Sequence, residues 1–195
     1  MHIAIEGLDG AGKTTTAKAL AKTLGFTFLQ NPIYDIIGLE GYNISLGAIA
    51  KTSGTLNENI SALFYGAGCM YMNYYRTVYA GIVTDRYICS TYYSDYNDTN
   101  AKLFDFLTAE CVAPELTVLL YARPEIRKER IFLRNPNDSD LAKDFNDYGY
   151  ETAEYFLKQH GMKYIITDNS SITLEETVRH ITSELSRLNL LPRHE

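Results

Sequence analysis

Gly7-Leu8-Asp9-Gly10-Ala11-Gly12-Lys13-Thr14-Thr15 matches the phosphate-binding loop pattern G-x-x-x-x-G-K-[ST] at every fixed position. The flanks fit the context that this pattern needs. His2 to Glu6 reads as a short apolar strand and Thr14 to Leu24 as a helix, so the stretch is strand, loop, helix. The glycines let successive backbone N–H groups converge on one point, and the helix N-terminus adds its positive dipole end. Lys13 supplies a mobile charge for the β and γ phosphates, and the Thr14 hydroxyl a hard oxygen for Mg²⁺. Gly7, Asp9, Gly10, Ala11, Gly12, Lys13, Thr14 and Thr15 are therefore the expected triphosphate-binding residues.

Working outward, Gly25 is placed to end the first helix, and Phe26 to Leu29 reads as a second strand broken by Gln30-Asn31-Pro32. From there to about Gly54 the chain is glycine-dotted and reads as loop with short helix. A long helix capped by Thr55 or Asn57 is predicted through about Tyr79. Ile82 to Thr84 is a brief third strand ending in Asp85-Arg86. Ser90 to Asn100 reads as a tyrosine-rich loop or helix start, and Lys102 to Val112 as helix. Leu116 to Ala122 is a buried strand, and Pro124 opens a basic helix to about Arg134. Asn135-Pro136-Asn137-Asp138 breaks it, giving a mobile lid at about 134–141. A further helix to about His160, a strand over Tyr164 to Thr167 and an amphipathic helix over Thr173 to Leu188 complete the chain.

Strands alternating with helices predict an α/β fold with three layers: a mainly parallel five-stranded sheet with helices on both faces and a small lid, in one domain over residues 1–195. In such sheets ligands gather at the carboxyl ends of the strands, where Gly7, Asn31, Asp85 and Arg123 fall.

The bulk composition narrows the partners. A net charge of −6 over 195 residues argues against a general basic face for polymeric nucleic acid, while leaving room for a small anion held by local arginines. Cys69, Cys89 and Cys111 are isolated and lack metal-type spacing, which predicts reduced thiols in a cytoplasmic protein. No leader segment or membrane span is expected. The four histidines are scattered, which gives a histidine-based triad little support.

The run from Ile3 to Thr15, with its Asp inside the loop, resembles the opening of the thymidylate kinase family of P-loop nucleotide kinases. Asp85-Arg86-Tyr87-Ile88-Cys89-Ser90 is similar to that family's D-R-Y-x-x-S segment, and Leu63-Phe64 to its L-F pair. Arg123-Pro124-Glu125 through Arg130 and Arg134 resembles the approach to its lid. The resemblance implies ATP- and Mg²⁺-dependent phosphoryl transfer to a small-molecule nucleotide, in a homodimer packed through long helices. It further implies Thr14 and Asp85 at the metal, and Lys13, Asp9, Asp85, Arg86, Arg130 and Arg134 as catalytic residues, with Asp9 organising the acceptor sugar or the Mg²⁺ shell. Phe64, Arg86, Tyr87 and Tyr92 are implied at the acceptor, with Tyr71, Tyr74, Tyr75 and Tyr93 around the same pocket.

The chain departs from the family twice. Gln30-Asn31-Pro32-Ile33-Tyr34 replaces a segment that carries an Arg for the acceptor phosphate, and Gly68 stands where a second Arg is usual. A deoxynucleoside kinase acting on a sugar 5′-hydroxyl is the rival reading, but the Glu-Pro that it uses is Asn31-Pro32 here. A nucleotide-dependent switch lacks its N-K-x-D signature. A non-catalytic binding module leaves the intact Lys13, Thr14, Asp85 and Arg86 without a purpose.

Overall fold

A computed structural model describes residues 1–30 and 33–191. The expected break at Asn31-Pro32 lies outside the described residues.

Five strands, β1 (His2–Glu6), β2 (Thr27–Gln30), β3 (Ile82–Asp85), β4 (Leu116–Tyr121) and β5 (Tyr164–Asp168), form one sheet in the order β2-β3-β1-β4-β5. Every pairing is parallel. The chain winds from β1 to one side and then, after β3, to the other. That reversal puts the carboxyl end of β1 at the crevice of the sheet. The helices are α1 (Lys13–Leu24), α2 (Ile33–Ile49), α3 (Gly54–Val78), α4 (Ile88–Asp95), α5 (Ala101–Glu110), α6 (Pro124–Arg134), α7 (Tyr148–Gln159) and α8 (Leu174–Arg187).

The period-2 alternation of the strands divides the core. Ile3 and Ile5 of β1, Val83 of β3 and Leu116, Val118 and Leu120 of β4 face α1 and α8, meeting Leu20, Ile181 and Leu185. Ala4, Ile82 and Leu119 face the other way, toward α3, α4, α5 and α7, where Met72, Phe104 and Phe156 fill the space. Each fully buried aliphatic side chain contributes about 1.5–3 kcal/mol. The same alternation matters for chemistry. Glu6 shares a face with Ala4, whereas Asp85 shares one with Val83 and points toward α1.

Element boundaries agree with the sequence to within a few residues, apart from two corrections. The stretch expected as loop and short helix is α2, a helix kinked where Gly38 has φ 68°. The glycine that interrupts the hydrophobic pattern interrupts only the helix axis. Of the two readings of the tyrosine-rich stretch after Ser90, the helix is the one found and the polar loop is not: α4 runs through it with Ser90, Thr91, Tyr92 and Asp95 buried.

Candidate functional site

The loop after β1 curls around Lys13. Gly12 takes a left-handed conformation (φ 89°) as the residue before α1. Lys13 Nζ donates to the Leu8 carbonyl at 2.8 Å and is almost wholly buried. Burial and the nearby Arg86 guanidinium push the Lys13 ammonium down to about 7, and Asp9, Asp85 and Glu6 pull it part of the way back. Such an ammonium is poised for a ligand that brings negative charge.

Thr14 Oγ1 donates to Asp85 Oδ2, while Asp85 Oδ1 is buried with no hydrogen-bond partner among the described residues. A buried carboxylate oxygen left without a partner is unfavourable unless something else fills its coordination. A hard hydroxyl beside a hard carboxylate is the donor set for Mg²⁺, which takes one or two protein oxygens and completes its shell with water and phosphate. The residues fit that ion.

Two cavities flank this loop. The first, of about 660 Å³, is lined by Gly10, Gly12, Lys13, Thr14, the exposed Thr15, Arg130, Arg134 and Asn169. Arg130 donates to Asn169 Oδ1 at 3.1 Å and to the Asn169 carbonyl at 2.9 Å, and Asn169 Nδ2 in turn donates to the Ala11 carbonyl at 2.8 Å. Asn169 thus ties the loop backbone to the end of β5, a role with no signal in its own sequence neighbourhood. Arg134 sits on the cavity rim, exposed and paired with Asp138 at 2.6 Å. Arg127 is spent on structure: it is buried and donates to the Ala122 and Asn146 carbonyls at 3.0 and 2.6 Å.

The second cavity, of about 540 Å³, opens on the other side of Arg86. Arg86 has φ 73°, a conformation that a non-glycine residue holds only where its surroundings enforce it. Its backbone N–H donates to the Ile5 carbonyl at 3.0 Å, and its guanidinium reaches Tyr93 Oη at 3.0 Å and Asp9 Oδ1 at 2.5 Å. Tyr93 also donates to the Gly7 carbonyl at 2.9 Å, so the arginine is locked to the loop. Asp9 bonds Lys143 Nζ at 3.2 Å as well. Burial would raise the Asp9 carboxyl, but Arg86, Lys13 and Lys143 outweigh it and hold the group well below the usual carboxylate range. Lys143 follows the short 3-10 turn Ser139–Ala142, just beyond the expected lid, and was not singled out in the sequence.

The far walls of this cavity correct the expected aromatics. Tyr87 is in the core: its hydroxyl donates to the Val112 carbonyl at 3.0 Å and its ring packs edge-on to His2. Tyr92 is also core, 4.4 Å from Phe156 and 4.5 Å from Tyr96 between ring centroids. Phe64 does not line the cavity but backs it, 5.2 Å from Tyr65. Tyr71, Tyr74 and Tyr75 pack against one another along α3, away from the site. Of the expected tyrosines, Tyr87 and Tyr93 do line the cavity, joined by Tyr34, Tyr42, Tyr65 and Tyr148. The Tyr34 and Tyr42 rings stack at 4.0 Å, and the Tyr42 and Tyr65 hydroxyls are 3.0 Å apart. Helical spacing alone could not tell which tyrosines face inward, because that depends on how α2, α3 and α4 are rotated against one another.

Beneath Arg86, the buried Glu6 accepts from the backbone N–H groups of Tyr87 at 2.9 Å and Ser90 at 3.2 Å, and from Ser90 Oγ. Burial outweighs these bonds and raises its carboxyl from 4.5 to about 7. Between those pH values the folded state binds more protons at Glu6 than the unfolded chain, so this group's contribution to stability falls as pH rises through the window. Glu6→Gln, which keeps the shape and the backbone bonds, is expected to gain on the wild type by up to about 3 kcal/mol between pH 4 and pH 8. Denaturant unfolding of both proteins across that range checks this, and parallel stability curves would refute it.

A phosphate-binding loop with a metal-type oxygen pair, between two cavities joined by an arginine, on a 2-3-1-4-5 parallel sheet, defines a P-loop nucleotide kinase, a phosphotransferase. The chain is 30% identical over 176 residues to deoxyadenosine kinase of Dictyostelium discoideum, covering 80% of this chain and 66% of that one. It is 26% identical over 181 residues to a probable thymidylate kinase of Methanococcus maripaludis, covering 88% of each. Among solved structures, deoxyadenosine kinase from M. mycoides with products dCMP and a flexible dCDP bound superposes with a TM-score of 0.65 at 17% identity, over 96% of this chain and 100% of that one. No protein-family profile matches the chain. No helix among the described residues is long and apolar enough to cross a membrane.

Proposed function

We propose that the protein transfers the γ-phosphoryl group of ATP, with Mg²⁺, to a nucleoside monophosphate, in the manner of a thymidylate kinase. The observation that carries this reading is Arg86, a guanidinium fastened to the loop through Asp9 and Tyr93 at the mouth of the second cavity. A monophosphate acceptor brings its own anionic oxygen, so it needs positioning and charge neutralisation rather than a base. Arg86 and the adjacent Lys143 answer that need, in place of the arginines absent at Gln30 and Gly68.

In this reading Gly7 to Thr15 hold the donor phosphates through backbone N–H groups, and Lys13 spans the β and γ positions. Thr14 and Asp85 would hold Mg²⁺, which would supply charge neutralisation at the phosphate oxygens. Arg130 faces the transferring group from α6, and Arg134 closes the rim from the lid at about 134–141. An acceptor phosphate oxygen attacks the γ phosphorus in line, the bond to the β–γ bridging oxygen breaks, and ADP leaves with those electrons. Asp9 keeps Arg86 and Lys143 side by side so that the two cations converge.

A second reading, phosphorylation of a deoxynucleoside 5′-hydroxyl, is favoured by the likeness to the Dictyostelium enzyme. We further place the protein in the cytoplasm, in keeping with its three buried free thiols, as a single domain and a homodimer. The dimer would pair through the exposed Leu56, Leu63, Tyr74 and Val78 of α3.

ADP release with ATP and Mg²⁺ across a panel of nucleosides and nucleoside monophosphates, with Lys13→Ala as control, tests the assignment. Turnover above the control is expected with at least one monophosphate. Turnover with nucleosides alone transfers the assignment to the second reading, and no stimulation by any acceptor overturns both.

A further inference from the structure

The end of the second cavity away from Arg86 holds a carboxylate that the proposed chemistry does not use. Asp95 closes α4, which begins two residues after Arg86. At about 1.5 Å of rise per residue the two sit more than 10 Å apart along the cavity wall. Asp95 is only 8% exposed, and the Asn100 side chain donates to its carbonyl at 2.9 Å. Its Oδ2 accepts from Ser61 Oγ of α3 at 2.9 Å, and among the described residues Oδ1 has no hydrogen-bond partner. The cations lining the cavity, Arg86, Arg127 and Lys143, are all engaged around Asp9 and the strand ends. Burial raises the Asp95 carboxyl to about 6, Ser61 pulls it down and Glu58 pushes it up, and no cation contributes.

A buried carboxylate with one oxygen held and the other open to a cavity is a directional acceptor. The Tyr34–Tyr42 stack supplies a flat apolar wall in the same cavity, which Tyr65 of α3 also lines. A nucleoside monophosphate with its phosphate at Arg86 and its base along that wall presents its base edge to Asp95. Adenine, cytosine and guanine carry an exocyclic amino group on that edge, which donates to a carboxylate. Thymine and uracil offer only their single ring N–H, flanked on both sides by carbonyl oxygens, and an acceptor-only carboxylate repels those carbonyls.

Resting on the phosphoryl-transfer reading above, we propose that Asp95 is a specificity-determining residue that selects acceptors with an amino-bearing base and rejects thymine and uracil. A charge-assisted hydrogen bond gained on one side and an unpaired carbonyl on the other correspond to discrimination of about 10- to 100-fold.

The test compares dAMP, dCMP and dGMP with dTMP and dUMP, each also as the nucleoside, for wild type and Asp95→Asn at pH 8. Wild type is expected to favour at least one amino-bearing acceptor by about 10-fold or more in kcat/KM. Asp95→Asn keeps the shape but can donate to a carbonyl while accepting from the ring N–H. It is therefore expected to shift the ratio toward thymine by about 10-fold, a change that mere loss of packing does not produce. A wild-type preference for thymine, or a ratio unchanged in Asp95→Asn, overturns the proposal. Direct calorimetric binding of dAMP and dTMP reads the same ratio without turnover. An enzyme that binds these ligands but transfers no phosphate would thus sink the kinase reading while still deciding the role of Asp95.

Discussion

Replacing Arg86 by alanine is expected to lower kcat/KM for a nucleoside monophosphate by about three orders of magnitude, the range set by arginines that face a transferring phosphoryl group. Affinity for ATP should change by no more than about threefold, because the donor phosphates rest on backbone amides and Lys13 rather than on this guanidinium. The split follows from geometry. Arg86 lines both cavities, and its guanidinium is held by Asp9 at 2.5 Å and by Tyr93, a residue of the second cavity, at 3.0 Å. Alanine inherits the same φ of 73°, a backbone strain of about 1 kcal/mol that the wild type already carries, so folding is largely preserved. Arg86→Lys, which keeps the charge but loses the planar fork, should recover only part of the loss. Steady-state kinetics alongside calorimetric ATP titration measure both quantities. An equal loss in ATP affinity would remove Arg86 from the acceptor side.

Gly10→Ala is expected to be nearly as damaging, by a different route. A Cβ at Gly10 would lie 2.4 Å from the Arg127 carbonyl oxygen and 2.8 Å from its Cα, and the backbone there has φ +81°. Neither partner is a flexible side-chain tip, so the loop or the start of α6 must move. A loss of about 3 kcal/mol is expected from overpacking and left-handed strain together. For a chain of this size that corresponds to a fall in Tm of roughly 10 °C. Nucleotide binding should weaken in parallel, because the amide cradle shifts with the loop. A thermal melt within a degree or two of wild type would mean that α6 does not press on the loop as described. The α6 backbone fills the space that a side chain at position 10 would need. In the proposed reaction the cation for the transferring group is Arg130 of α6, which lies against Ala11 and Asn169.

Residues close in sequence proved the most legible. Gly25 ends α1 in a left-handed conformation and donates back to Ala21. Pro124 opens α6, and Thr173 with Glu176 caps α8 through reciprocal hydrogen bonds, so these boundaries follow from local chemistry. Tyr87 and Tyr92 illustrate the limit. Tyr87 lies in the Asp85–Ser90 motif and Tyr92 two residues past it, yet their rings pack in the core, while Tyr34 and Tyr42 reach the cavity from a stretch that read as loop with short helix. Asn169 and Lys143 contact the loop from 158 and 134 residues away.

The loop from Gly7 to Thr15, the alternation of strand and helix, and the strand-end positions of Asp85 and Arg86 were settled by local pattern. Backbone dihedrals, amide convergence and period-2 burial are set by neighbours a few residues apart. The second cavity was settled only by packing. Its walls come from α2, α3, α4 and the segment after α6, and which side chain of each helix faces the ligand depends on how those helices rotate against a shared core. Sequence spacing fixes positions around one helix axis but carries no reference direction for that rotation. The phosphate-binding loop is therefore readable from nine consecutive residues, whereas the open carboxylate oxygen of Asp95 emerges only when α3 and α4 are brought together.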